Sequence, residues 1–90
     1  MNLNGNWKLK IRERIWKDIA RFPRKDRQRI IKIIEEDLVS NPYSGDIEKM
    51  EGEENSWRRR IGAYRIFYEI YSQEKTVYVY RVKRRTSKTY

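Results

Sequence analysis

The hydrophobic period of the chain changes once within its first third. Residues 7–12 alternate apolar with basic side chains, which is the period-two pattern of a half-buried β-strand. From Glu13 to Phe22 the apolar residues recur three to four positions apart, as on one face of a helix. Pro23 is predicted to end this helix, because the residue before a proline is disfavoured in the helical region.

A second helical pattern runs from Arg24 or Lys25 to Ser40. Its isoleucines and Leu38 fall on one side, and Asn41-Pro42 is predicted to stop it. The short connection between the two patterns predicts an antiparallel helical hairpin. The apolar face of this hairpin is expected to pack against a sheet.

The second half of the chain is typical of a loop followed by strands. Residues 42–56 contain two glycines and five acidic residues and are predicted to form a loop. Three segments rich in β-branched and aromatic residues follow, with Gly62-Ala63 between the first two fitting a type II′ hairpin turn. These predicted strands are Trp57–Ile61, Tyr64–Tyr71 and Thr76–Lys83. The expected fold is one α+β domain over residues 1–90, in which a mainly antiparallel four-stranded sheet carries the helical hairpin on one face.

The composition excludes several classes of chemistry. Ninety residues are enough for one domain, and the absence of cysteine rules out disulfides and thiolate metal sites. Histidine is also absent, so no Ser-His or Cys-His constellation exists, and we expect neither a metal nor a cofactor. No apolar run is long enough to cross a bilayer, which predicts a soluble, cytoplasmic protein.

The net charge of +9 indicates a polyanionic partner. Nucleic acid is the first expectation, an acidic protein the second and a membrane surface the third. The alternative without a specific partner is a basic surface that only aids solubility. The charge is uneven, since residues 1–41 carry +5, residues 42–56 carry −4 and residues 57–90 carry +8. The C-terminal third is therefore the expected anion-binding region.

Strand alternation divides the run Arg58-Arg59-Arg60. With Gly62-Ala63 as the loop, Arg60 is predicted to oppose Arg65, and Arg58 to oppose Phe67, on the face away from the helices. Two opposed arginines destabilise a sheet unless an anion lies between them. Because guanidinium groups bind phosphate bidentately, these arginines predict a phosphodiester site rather than a solvated strand face.

Arg59 is predicted to face the helices, where it snorkels or pairs with an acid such as Asp37. The tyrosines of the strands are expected in the core and sheet. Tyr90, at the end of a basic tail, has no core role and is suited to stacking on a base.

The order of elements, the segment WRRRIGAYRIFYEI and the basic end RVKRRTSKTY resemble the RelE/ParE superfamily of toxins from type II toxin–antitoxin modules. The resemblance spans nearly the whole chain and implies a ribosome-dependent mRNA endonuclease that cuts the codon in the ribosomal A site, with message and ribosomal RNA as partners. It also implies an antitoxin that is acidic in its toxin-binding half.

The functional residues of the family can be assigned to positions of this chain by matching its motifs. The resemblance implies catalytic roles for five residues: Arg58, Arg60, Arg65, Arg85 and Tyr90. It implies RNA binding by four others: Lys83, Arg84, Lys88 and Phe67. Arg84 is the alternative to Arg85.

The sequence departs from the RelE-type pattern at the positions expected to supply a catalytic base. Well-studied RelE-type toxins have lysines at the positions of Arg58 and Arg60, and arginine cannot serve as a proton acceptor. The identity of the base is therefore open. Two other functions also stay open, a ParE-like gyrase inhibitor and a non-catalytic or decayed nucleic-acid-binding module.

Overall fold

A computed structural model describes residues 7–85, which form one sheet covered on one side by helices. Strand β1 (Lys8–Ile11) leads into helix α1 (Glu13–Ala20), and helix α2 (Arg24–Lys32) continues through a π-helical turn (Ile33–Asp37) into α3 (Leu38–Ser40). The remaining strands are β2 (Ile47–Lys49), β3 (Ser56–Ile61), β4 (Tyr64–Tyr71) and β5 (Thr76–Arg84). The sheet order is β1-β5-β4-β3-β2, with β1 parallel to β5 and the other pairs antiparallel.

The prediction of four strands was wrong by one. Strand β2 lies within the predicted loop and pairs with β3, so the sheet has five strands and is mixed. Ile47 is half-buried, whereas Glu48 and Lys49 are exposed. Three such residues carry too little apolar alternation to predict a strand, and β2 exists because β3 offers it a hydrogen-bonding edge.

The helical hairpin forms with nearly the predicted bounds. Helix α1 ends at Ala20, two residues earlier than Phe22, and Pro23 precedes the start of α2 as expected. The second helical segment runs to Ser40, and Asn41 then adopts extended backbone. Pro42 is buried and its carbonyl accepts a hydrogen bond from Tyr68 at 2.9 Å.

The core lies between the helices and one face of the sheet. Helical isoleucines such as Ile19 and Ile34 are buried together with strand residues such as Ile66, Tyr68 and Val79. Tyr64 also packs on this side and donates a hydrogen bond to Asp26 of α2 at 2.8 Å. The helices thus leave the other face of the sheet open. No helix in residues 7–85 is long and apolar enough to cross a membrane.

The β3–β4 hairpin has the predicted register. Arg60 opposes Arg65, Arg59 opposes Ile66 and Arg58 opposes Phe67. Gly62 has a φ of +57°, whereas Ala63 does not enter the positive-φ region, which fits glycine at the first central position of a type II′ turn. The turn therefore sets which arginines share a face.

Candidate nucleic-acid interface

Three arginines line one small cavity on the open face of the sheet. Arg58 and Arg60 reach it from β3, and Arg65 reaches it from β4. The cavity has a volume of about 100 Å³ and is also lined by Asp46 and Glu48. We call these five residues the arginine pocket. The structure thus brings together three of the predicted site residues.

The two carboxylates of the arginine pocket pair with two of its arginines. Glu48 lies opposite Arg58 in the β2–β3 register, and its Oε1 is 2.5 Å from Nη2 of Arg58. Asp46 accepts a hydrogen bond from Nε of Arg60 at 3.3 Å, and its carbonyl accepts one from the amide of Arg60 at 2.9 Å. The anion that the opposed arginines require is therefore supplied, at least in part, by the chain itself.

Asp46 and Glu48 were missed in the sequence. The available signal was the acidic segment of residues 42–56, whose charge of −4 lies directly before the basic strand. The sequence does not reveal that this segment folds back along β3, because β2 has only three residues.

Arg65 is the arginine of the pocket that lacks a carboxylate partner among residues 7–85. It is half-buried, and its cross-strand neighbours are Arg60 on β3 and Lys83 on β5. Three cations in a row across three strands leave a local excess of positive charge at Arg65. This position is the most favourable one in the pocket for an added anion.

Arg59 points to the opposite side, as predicted. Only 13% of its side chain is exposed, and its Nη2 donates a hydrogen bond to Asp37 at 3.3 Å. The predicted pairing with Asp37 is confirmed. The guanidinium also lies against Gly45, where an added Cβ would be 2.6 Å from its Cζ. Arg59 is thus enclosed by the fold and unable to reach a ligand on the open face.

The remaining predicted residues are distributed between the two faces. Lys83 opposes Arg65, and Phe67 lies on the open face with the guanidinium of Arg81 5.8 Å from its ring centroid. Arg85 is exposed, and its amide donates to the carbonyl of Ala63 at 2.6 Å, which fixes its backbone at the end of the sheet where the arginine pocket lies.

Arg84 lies apart from the arginine pocket. It opposes Tyr64, which faces the helices, and its guanidinium is 5.6 Å from the Tyr64 ring centroid. Lys88 and Tyr90 lie outside the described residues, so their predicted roles stay predictions.

The chemistry of the arginine pocket suits a phosphodiester. The guanidinium groups of Arg60 and Arg65 can bind non-bridging oxygens. Glu48 adds a carboxylate, a group that can accept a proton, within the same cavity. The three arginines themselves cannot accept a proton.

Comparison with known proteins identifies the class of protein. The family model described as the ParE toxin of the type II toxin–antitoxin system, parDE, matches residues 9–88. The chain therefore belongs to this family of type II toxin–antitoxin toxins, and the resemblance to the RelE/ParE superfamily is confirmed.

Solved toxin structures share the fold. The RelBE2 toxin–antitoxin complex of Mycobacterium tuberculosis matches with a TM-score of 0.77 and 20% identity over 93% of this chain and 95% of that chain. The RelE–RelB complex of Pyrococcus horikoshii matches with a TM-score of 0.78 and 23% identity over 92% and 99%. The RelB–RelE complex of Methanococcus jannaschii matches with a TM-score of 0.69 and 33% identity over 83% and 88%. Among curated proteins, none matches the sequence significantly.

Proposed function

We propose that this toxin is an mRNA endonuclease that acts in the cytoplasm on messages held in the ribosomal A site. The observation that carries the proposal is the arginine pocket, in which Arg58, Arg60 and Arg65 lie with Glu48 in one cavity on the open face. A toxin that only bound a protein target would have no need for a carboxylate and three guanidinium groups around one cavity.

The proposed reaction is attack by a ribose 2′-hydroxyl on the adjacent phosphorus. The O2′–P bond forms and the bond from phosphorus to the 5′-oxygen breaks, which leaves a 2′,3′-cyclic phosphate and a free 5′-hydroxyl. Arg60 and Arg65 bind the non-bridging oxygens and stabilise the charge that grows in the pentacovalent transition state. Because these groups are held by the sheet before substrate binds, little reorganisation is needed.

Glu48 is the proposed acceptor of the 2′-hydroxyl proton. Its hydrogen bond from Arg58 orients the carboxylate towards the cavity shared with Arg60 and Arg65. The departing 5′-oxygen also requires a proton, and the proposed donor is Tyr90 or a water molecule. Arg85, at the same end of the sheet, is proposed to add a further contact to the phosphate.

The proposed partner in the uninduced cell is an acidic antitoxin. The related chains from Mycobacterium tuberculosis, Pyrococcus horikoshii and Methanococcus jannaschii were solved as toxin–antitoxin complexes. A charge of +9 and an open basic face favour an acidic segment that folds onto the toxin. Such a segment would compete with RNA for Arg65.

The decisive experiment is to induce the toxin alone and map the 5′ ends of cellular mRNA. We expect new 5′ ends within translated codons in cells with the natural protein and none with Arg65→Ala. With purified components, the toxin should cut mRNA on ribosomes and cut free RNA poorly. Intact messages during growth arrest would contradict the proposal, and steep salt-dependent RNA binding without cutting would favour the non-catalytic module.

Inhibition of DNA gyrase is the alternative, and the match to the ParE family model favours it. The same culture separates the two functions. Induction of the DNA-damage response with intact mRNA, together with loss of gyrase supercoiling in a purified assay, would establish the alternative. In that case Glu48→Gln should leave the toxicity unchanged.

A further inference from the structure

A second basic cleft lies beside the arginine pocket, between strand β5 and the start of helix α1. Its volume is about 500 Å³. Arg12 and Arg14 line it from the β1–α1 side, whereas Arg81 and Lys83 line it from β5. Tyr80 and Asp18 also line it. We call this the β5 cleft.

A β-bulge in β5 creates the β5 cleft. Phe67 opposes Arg81 while the next residue, Tyr68, opposes Val79, so Tyr80 has no partner on β4. An extra residue of this kind reverses which side chains of the strand point to each face of the sheet after the bulge. Val79 and Val82 are therefore both buried, and Tyr80 and Arg81, although adjacent, both line the cleft.

The cations of the β5 cleft are unpaired within the part of the chain that the structure describes. None of Arg12, Arg14, Arg81 and Lys83 forms an ion pair there, although Asp18 lines the same space. Nε of Arg12 instead donates to the hydroxyl of Tyr78 at 2.8 Å, a neutral acceptor that orients the guanidinium and leaves its charge available. The arginine pocket differs, since two of its three arginines already have carboxylates.

The Tyr80 side chain extends from β5 across the open face of the sheet, beside the cleft. Its ring lies 6.4 Å from the Tyr78 ring at an interplanar angle of 29° and 6.3 Å from the ring of Phe67. Its hydroxyl donates to Ser56 at 3.4 Å. A half-buried ring held by these contacts is a favourable platform for a nucleobase.

The β5 cleft continues directly from the arginine pocket. Lys83 lines the cleft and is the cross-strand partner of Arg65, which lines the pocket. Opposed side chains on neighbouring strands have Cβ atoms about 4.5–5.5 Å apart. The Arg65–Lys83 pair therefore joins the pocket to the cleft, and a chain of phosphates can follow these two cations from one to the other.

We infer that the β5 cleft binds the nucleotides of the message that flank the one cut in the arginine pocket. Arg12, Arg14 and Arg81 contact backbone phosphates, and Tyr80 stacks on a base. The inference rests on the proposed function in taking the message as the strand, but the cleft's affinity for single-stranded RNA is measurable without cleavage.

The test compares two lengths of a labelled oligouridylate that is 2′-O-methylated and therefore cannot be cut. The variant Arg12→Gln/Arg14→Gln should bind a nonanucleotide roughly tenfold more weakly than the natural protein. The slope of log K against log salt should fall by about 1.4, since each lost phosphate contact on a single strand contributes about 0.7. Binding of a dinucleotide, which fills only the arginine pocket, should not change.

Two matched variants complete the design. Arg21→Gln/Arg24→Gln removes the same charge from exposed positions at the connection between α1 and α2, outside both cavities, and should change nonanucleotide binding less than twofold. Arg12→Lys/Arg14→Lys keeps the charge and should restore most of the affinity. Equal losses in the two glutamine variants, or an equal loss for both lengths, would overturn the inference.

A third measurement separates message from ribosomal RNA. If Arg12→Gln/Arg14→Gln weakens binding to ribosomes without message as much as to programmed ribosomes, the cleft contacts ribosomal RNA and the assignment to the message is wrong. Failure of the proposed function would differ, because the natural protein would then cut no message while the length-dependent loss of oligonucleotide affinity persisted.

Discussion

The two faces of the β3–β4 hairpin place chemically identical side chains in opposite environments. Arg59 lies on the helix side, 13% exposed, against Gly45 and paired with Asp37. Arg58 and Arg60 lie on the open side with 32% and 54% of their side chains exposed, paired with the acids of the preceding segment. We call Arg59 the inner arginine and Arg58, Arg60 and Arg65 the outer arginines.

The difference teaches that burial, not charge, separates a structural arginine from one available to a ligand. The inner arginine has exchanged water for a carboxylate and close contacts, so moving it costs the fold. Two of the outer arginines, Arg58 and Arg60, form ion pairs in contact with water, which contribute little to stability and can be exchanged for a phosphate. Arg65 forms no ion pair within residues 7–85. The predictions below test this separation.

The largest expected effect is on activity and comes from an outer arginine. Arg65→Ala should lower the rate of message cutting on ribosomes by about a hundredfold to a thousandfold, because it removes a donor to the transition-state phosphate. The midpoint of urea unfolding should stay unchanged, since Arg65 has no ion pair within residues 7–85. Arg21→Ala, at an exposed position away from the pocket, is the control for charge.

The next effect is on stability and comes from the space around the inner arginine. Gly45→Ala should lower the free energy of unfolding by about 2–3 kcal/mol, because φ there is +88° and the new Cβ would displace the Arg59 guanidinium from Asp37. Gly52→Ala is the matched control. Its φ is +80° but nothing lies within 4 Å of an added Cβ, so only the backbone cost of about 1 kcal/mol is expected. Equal losses in urea denaturation would show that Arg59 is not enclosed.

The two kinds of ion pair should also differ when the acid is removed. Asp37→Ala should cost about 2 kcal/mol, less than for a fully buried pair because 43% of the Asp37 side chain is exposed. Glu48→Ala should cost below about 1 kcal/mol, because its carboxylate is exposed. Chemical denaturation of both variants measures the comparison. A larger loss of unfolding free energy for Glu48→Ala than for Asp37→Ala would contradict the distinction between the inner and outer arginines.

The last expected effect is an alkaline loss of stability on the inner side. Burial raises the pKa of Tyr68 to about 12 from 10.0, although the neighbouring Arg59 lowers it. A group whose pKa is higher in the folded state contributes its full stability below pH 10 and loses it between pH 10 and 12. The loss from Tyr68 is about 1.4 kcal/mol at pH 11. In Tyr68→Phe, unfolding free energy should fall less steeply over this range; an identical slope would contradict the assignment.

The hairpin register and the faces of its arginines could be predicted from the sequence because they depend on residues that are close in the sequence. A two-residue turn with glycine first fixes the register of β3 and β4, and alternation then assigns a face to each of Arg58, Arg59 and Arg60. The pairing of Arg59 with Asp37 was predictable too, since a charge facing helices requires an acid from them.

The features that could not be predicted from the sequence depend on contacts between segments that are distant in the sequence. Strand β2 pairs only because β3 offers an edge, so Asp46 and Glu48 could not be assigned to the arginine pocket beforehand. The bulge at Tyr80 reverses the alternation of β5, which buries Val82 and turns Arg84 towards Tyr64.

The sequence alone predicted the order of the helices and of four of the five strands, the hairpin register and the split of the three arginines. All three follow from periodicity and turn geometry, which act over a few residues. Only the tertiary structure decided which acids meet the outer arginines and where the β5 cleft opens. A three-residue edge strand and a bulge take their conformation from the strand beside them, and that strand is distant in the sequence.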